Sequence, residues 1–410
     1  MANYYYSGQE SRLERISWRM WITETICFVF LVLLTTVSSF AALSSSAGFP
    51  CFFGTVGESN FGRDVVSETI GTGHRDVKIF FISSTATQFV VFSALFVWIV
   101  LVVYLMLGCI RVKMCNYDPS YGASELATAV ANMPALVSLI ICVWLWQVFV
   151  LLLSYRQVTL AAVTFCVIFI VGSIFLGAFT SGGKSPENYN TFNFQLKAVC
   201  KDVHVVVTAF KAVVMNLFTT LLSIWIMVLA LLGAVVMVLN FEISISTAAV
   251  GAFVAFIVIG ILYLLTVELL ISRYVHVLLG PHLGMIISLG ILGVTALNYS
   301  KTLDVMLYPS WKPITTGILG AFAVIVLTLG ILRAVRSYRF HHSRQTRFLQ
   351  RVNTVAGDVK GRIMRKKKGN VKAYVKTAPY SDDPAEGETV IYETVPYEDV
   401  TYQNLPYEGR

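Results

Sequence analysis

The chain has 410 residues, of which 56 % are hydrophobic and only 13 % charged, with a formal net charge of +8. Soluble domains carry roughly a quarter of charged residues, so this composition excludes a soluble globular protein. Several apolar runs reach the length of about 20 residues that a bilayer-crossing helix needs, whereas a barrel strand needs only about 10.

Eight runs qualify in chain order: Ile22–Ala42, Phe80–Cys109, Pro134–Leu153, Thr159–Phe179, Val205–Leu239, Ala248–Ile271, Leu283–Leu297 and Ile314–Leu332. The seventh is short. The second and fifth exceed what a bilayer requires, which predicts tilt or protrusion. The expected fold is all-α, a polytopic integral membrane bundle of eight transmembrane helices with both termini cytoplasmic. Orientation follows from the excess of Lys and Arg in cytoplasmic connections. With the N-terminus inside, inner segments hold Arg12, Arg15, Arg19, Arg111, Lys113, Lys184, Lys197, Lys201, Lys211, Arg273 and the basic tail. The opposite side holds Arg63, Arg75, Lys78, Arg156, Lys301 and Lys312. A cleaved signal peptide is the alternative for the first run, because cations precede it and Ala41 and Ala42 follow it. Its apolar stretch is longer than the roughly 7–15 residues of a signal core, which favours an uncleaved anchor.

The expected segments are a cytoplasmic stretch 1–21, the membrane domain 22–333 with a large lumenal loop 43–78, a basic juxtamembrane tail 334–378, and a disordered acidic tail 379–410. Seven glycines or prolines, from Gly48 and Pro50 to Gly73, make the lumenal loop a place of turns and irregular chain. Of seven cysteines, Cys27, Cys142 and Cys166 fall in apolar runs, and Cys109, Cys115 and Cys200 lie at cytoplasmic helix ends, where thiols are expected to stay reduced. Cys51 alone is placed in the oxidising compartment. An odd cysteine there signals an intermolecular bridge or a free thiol.

The tail changes character twice. Cations mixed with Tyr338, Phe340, Phe348 and Leu349 over 333–351 can prolong the last helix along an anionic membrane surface, and "RIMRKKK" at 362–368 adds a second basic cluster. Beyond it, "YETV", "YEDV" and "YQNL" repeat at five-residue spacing. Tyr392 with Val395, Tyr397 with Val400, and Tyr402 with Leu405 each offer a ring and an aliphatic side chain to a sorting adaptor. Tyrosine phosphorylation is the competing use.

Other features read as architecture. "GGKS" at 182–185 lacks the first glycine and the strand of a phosphate loop and is expected to be a cytoplasmic turn. Glu268, near Arg273, is the clearest intramembrane acid and is expected to be a buried hydrogen-bonding or ion-pair residue; it also sustains a rival reading as a channel or transporter. His204 and Lys211 are placed to snorkel at the start of the fifth run. Gly280 and Gly284, Gly290 and Gly293, and Gly317 and Gly320 are expected to let helices approach closely, with Pro281 making "GPHLG" a tight cytoplasmic corner. Asn298-Tyr299-Ser300 is the only glycosylation sequon, and it hugs a helix end. No catalytic constellation, metal-ligand spacing or cofactor loop is present in the sequence, and neither an enzyme nor a nucleic-acid partner is expected. A third reading, a seven-helix receptor, would need cleavage near Ala42.

"SWRMWI" at 17–22, "GFPCFF" at 48–53, "LLLSYRQV" at 151–158 and above all "ELLISRYVHVLLGPHLG" at 268–284 resemble the glycoprotein M family of herpesviruses, and look nearest to its alphaherpesvirus members. The likeness spans about 17–336. It implies a virion envelope protein of eight membrane helices that is disulfide-linked to glycoprotein N through the first lumenal loop. The matching position is Cys51, with Phe49, Pro50, Phe52 and Phe53 around it as partner contacts. It further implies residence in the trans-Golgi network, endosomal and nuclear membranes, support of secondary envelopment, virion assembly and egress, modulation of fusion, and a tail that binds tegument proteins and host sorting adaptors.

Overall fold

The computed structural model describes residues 2–41, 84–115, 123–155, 157–185, 188–189, 192, 196–197, 200–241, 243, 245–275, 278–303, 313 and 316–339. Among these residues there is helix and turn and no strand. The long helices are α1 (Ala2–Ala41), α2 (Ser84–Met114), α4 (Met133–Ser154), α5 (Val158–Ser181), α7 (Lys211–Phe241), α8 (Ile245–Leu269) and α9 (Gly280–Leu303), with α10 at Thr316–Arg339. A short helix α3 (Ala123–Val130) precedes α4, and α6 (Lys201–Val205) runs through a π-helical turn, Val206–Phe210, directly into α7.

Among the described residues, seven helices are long and apolar enough to cross a membrane; the expected seventh run corresponds to α9, whose apolar portion Gly280–Val294 is shorter. Arg15–Ala41 and Lys201–Phe241 outrun the first and fifth predicted spans. The second gives the reason for the predicted protrusion, since 41 helical residues extend about 60 Å, twice the thickness of a bilayer's hydrocarbon core.

The α6–α7 rod is the axis of the bundle. Its most apolar stretch is 78 % buried, against 22–50 % for the other spans, because α7 is covered by α2 and α5 on one side and by α8 and α9 on the other. The α2 side is completed by α1, α3 and α4, and α4 lies along α5. On the other side α10 packs on α8 through Phe256 and Phe322, whose rings meet edge-on at 5.8 Å. Where α2, α4, α5 and α7 converge, Trp98, Trp146 and Trp225 are fully buried. Trp146 sits edge-on to Trp98 at 5.3 Å and stacks on Trp225 at 5.6 Å, with Phe149 and Phe165 closing the cluster. Offset and edge-on ring pairs add to the gain from burial.

Local chemistry explains the helix ends. Asn132 is extended at φ −76°, ψ 156°, and its side chain accepts from the Ala135 amide, so with Pro134 in the first turn α4 starts there. α5 stops at Gly182, which is left-handed at φ 57° and donates its amide to the Ala178 carbonyl. Gly183 follows at φ 75°. "GGKS" is thus a helix-terminating turn, as its composition predicted.

Candidate functional site

Polar side chains gather at one end of the bundle, the end that the sequence assigns to the cytoplasm. There the C-termini of α2, α5, α8 and α10 meet the beginnings of α4, α7 and α9. Four constructions occupy it.

The first is a polar seam between α7 and α9. Asn216, Thr220 and Ser223 recur at helical spacing on one face of α7. Asn216 Oδ1 accepts from the amides of Leu279 at 2.7 Å and Gly280 at 2.8 Å, so a side chain of α7 caps the N-terminus of α9. The Thr220 hydroxyl lies 3.0 Å from the Gly280 carbonyl oxygen, and that of Ser223 lies 3.0 Å from the Pro281 carbonyl. Such contact needs the two backbones to touch. A Cβ on Gly280 would collide with the Asn216 carbonyl, and one on Gly284 with that of Thr220. Gly280 and Gly284 are therefore packing residues, as expected. Pro281, however, sits in the first turn of α9, where its missing N–H costs nothing; α8 has already ended at Leu269. Among the described residues, nothing lies within 4 Å of a Cβ added to Gly290, Gly293, Gly317 or Gly320, so these four make no close helix contact there.

The second is an ion pair between α8 and α10. Arg333, only 6 % exposed, donates to Glu268 Oε2 at 3.0 Å and to the Val275 carbonyl at 3.1 Å. Glu268 is an ion-pair residue, as expected, and its partner is Arg333 of α10. Arg333 had been read as the first cation of the tail. Continuation of α10 to Arg339 brings its guanidinium inward. His282, 4 % exposed on α9, packs against Gly330 of α10, and neither ring nitrogen has a hydrogen-bond partner among the described residues.

The third surrounds the connector after α5. Lys211 does not snorkel: it is 3 % exposed, and its ammonium lies over the rings of Phe179 at 4.9 Å and Tyr189 at 5.6 Å. Lys184 lies over Phe192 at 3.1 Å, and its carbonyl accepts from the Tyr274 hydroxyl. Partial burial lowers the Lys184 pKa, and the Glu125 carboxylate on α3 opposes that shift.

The fourth joins α2 to α6. Arg111 reaches Asp202 at 2.9 Å, and Cys115 is bonded to Cys200 with Cα atoms 6.3 Å apart. The expectation of reduced thiols at 115 and 200 is therefore corrected. Compartment was the basis of that expectation, and the convergence of two helix ends 85 residues apart brings the sulfurs together. Cys27, Cys109, Cys142 and Cys166 are free.

The profile of the herpesvirus glycoprotein M family matches residues 14–352. The chain belongs to that family. Envelope glycoprotein M of psittacid herpesvirus 1 is 62 % identical over 409 residues, covering 96 % of this chain and 99 % of the relative. Envelope glycoprotein M of equine herpesvirus 1 is 28 % identical over 84 % of this chain and 79 % of its own length, and that of varicella-zoster virus (strain Dumas) is 25 % identical over 94 % and 89 %. No solved structure matches.

Two of the segments that carried the resemblance hold structural contacts. From "SWRMWI", Trp21 donates its indole N–H to the Ala131 carbonyl at 2.8 Å, and Ser17 meets Ser124 at 2.7 Å, so α1 grips both ends of α3. The segment 268–284 supplies Glu268, Val275, Gly280 and Gly284 to the seam and the ion pair. Cys51 with Phe49, Pro50, Phe52 and Phe53, and the motifs of Tyr392, Val395, Tyr397, Val400, Tyr402 and Leu405, lie outside the described residues, as do the lumenal loop and the basic tail from 340 onward, whose first residues, 334–339, end α10. Asn298 falls within α9. Sequence reasoning passed over Glu24, an acid inside the first span with one buried unpaired carboxylate oxygen. It also passed over Asn216 and the Arg111–Asp202 pair. An amide in the middle of an apolar run was the available signal for Asn216.

Proposed function

We propose that this chain is the membrane-spanning partner of a disulfide-linked complex with glycoprotein N, formed through Cys51. The observation that carries the proposal is family membership together with "GFPCFF" at 48–53, which puts one cysteine among aromatic residues in the segment assigned to the lumen. In this reading the bundle is a scaffold. The loop holds glycoprotein N, with Phe49, Pro50, Phe52 and Phe53 as apolar contacts. The tail addresses the complex through Tyr392, Tyr397 and Tyr402 to the trans-Golgi network and endosomal membranes, where it engages sorting adaptors and tegument proteins. Secondary envelopment, virion assembly and egress, restraint of fusion, and a pool at the nuclear membrane belong to the same proposal. Pairing of Glu268 with Arg333 supports a scaffold over a transporter, because that carboxylate already has its counter-charge.

The test is co-expression of the tagged full chain with tagged glycoprotein N, as wild type and as Cys51→Ser, on reducing and non-reducing gels. The expected result is a heavier band that carries both tags, disappears with reductant and is missing in the variant. The internal Cys115–Cys200 bond changes mobility without adding the second tag, so the two disulfides are told apart. A two-tag band that persists in Cys51→Ser would assign the link to another cysteine, and its absence from wild type would refute a covalent complex.

A further inference from the structure

The Arg111–Asp202 pair stands at the mouth of a pocket of about 160 Å³ whose remaining lining is Leu107, Val205, Val206 and Phe210. The pocket lies at the end of one candidate membrane span and the beginning of another. Arg111 is in the last turn of α2, a membrane span, and Val205 and Phe210 are 43 % and 47 % exposed on the flank of the α6–α7 rod. A bilayer presents headgroups beside acyl chains at such a place.

Two further observations make it more than a crease. Val206 and Phe210 open and close the π-helical turn, the one such turn among the described residues. Turns of this kind are rare within long helices and are frequent at functional sites. The walls are also held on both sides: Cys115–Cys200 joins the two elements four residues beyond Arg111 and two before Asp202. An exposed ion pair contributes about 0–1 kcal/mol by itself, which leaves Arg111 and Asp202, 46 % and 63 % exposed, poorly explained as a tether beside a covalent bond.

We propose that this pocket binds one phospholipid whose headgroup carries both a phosphate and a primary ammonium, as in phosphatidylethanolamine. Arg111 commits one of its five donors to Asp202 in a single contact, and its planar fork suits a phosphate. Asp202 can only accept, and a primary ammonium offers three donors where a trimethylammonium offers none. A purely anionic headgroup would meet Asp202 as a like charge. The acyl chain lies along Leu107, Val205, Val206 and Phe210.

Native mass spectrometry of the full chain, released from nanodiscs holding equal phosphatidylethanolamine, phosphatidylcholine and phosphatidylglycerol, tests this. Wild type should retain one phosphatidylethanolamine in preference to the others. Arg111→Gln and Val206→Trp should each lower retention about tenfold, the equivalent of one charge-assisted hydrogen bond, and Asp202→Asn should shift it towards phosphatidylglycerol. Equal retention of the three lipids by wild type, or wild-type retention in Arg111→Gln and Val206→Trp, would overturn the proposal. If a variant does not fold, wild type with a phosphatidylethanolamine bearing a photoreactive acyl chain still decides. Labelling concentrated in 105–111 and 201–211 supports the site, and labelling spread over all spans refutes it.

Discussion

Arg333 shows how a residue's role depends on which side of a helix end it occupies. Its cation is taken out of water because Glu268 and the Val275 carbonyl receive it together. Removing one partner of a buried pair strands the other, whereas replacing both with apolar groups is often tolerated. Glu268→Ala is therefore expected to destabilise by about 2–4 kcal/mol, somewhat below the loss for a fully buried pair because Glu268 is a third exposed. The double variant Glu268→Ala/Arg333→Met should recover more than half of that loss. Thermal unfolding in detergent, followed for wild type, both single variants and the double, measures the coupling. Strict additivity would mean that the pair is only a surface contact. Asn216 makes the complementary point with a neutral group, since one amide oxygen satisfies two backbone N–H groups of a neighbouring helix.

Between elements, short covalent and polar links decide how the connectors are held. Cys115–Cys200 closes a stretch of 85 residues that contains α3, α4 and α5. A cross-link over that length restricts the unfolded chain and typically stabilises by about 2–4 kcal/mol. Cys115→Ser should lower the thermal midpoint accordingly, and reductant should lower that of wild type and leave the variant unchanged. Proteolytic nicking near 117–122 supplies a direct check. The two pieces should migrate together without reductant and separate with it; separation in both conditions would show that the cysteines are unbonded. The same logic governs α3, which α1 holds through Trp21 and Ser17 while Tyr104 of α2 donates to the Val130 carbonyl at 2.8 Å.

At the scale of the whole molecule, the α6–α7 rod organises the bundle, and its junction with α2, α4 and α5 is aromatic. The indole N–H groups of Trp98, Trp146 and Trp225 have no hydrogen-bond partner among the described residues, so the cluster is held by apolar packing and ring contacts. Trp146 touches four of its members. Trp146→Ala is expected to cost about 3–5 kcal/mol and to loosen the α1–α5 side before the α8–α10 side. Hydrogen exchange should show protection falling first in α4 and α5. Loss spread evenly over all spans would indicate one indivisible core.

Hydropathy and length by themselves determined the helical class, the location of the spans and the terminating turn at Gly182, because each depends on residues close together in the chain. "GPHLG" permitted a close approach without deciding it, since small residues at such spacing allow contact but do not compel it. What covers a given face is a property of two segments at once, and no local pattern carries it. Gly280 and Gly284 pack while Gly290, Gly293, Gly317 and Gly320 do not, although all six look alike in the sequence. Glu268 found Arg333, 65 residues away, and Cys115 found Cys200, because α8 meets α10 and α2 meets α6 in space. Those meetings were fixed only by the tertiary packing around α7.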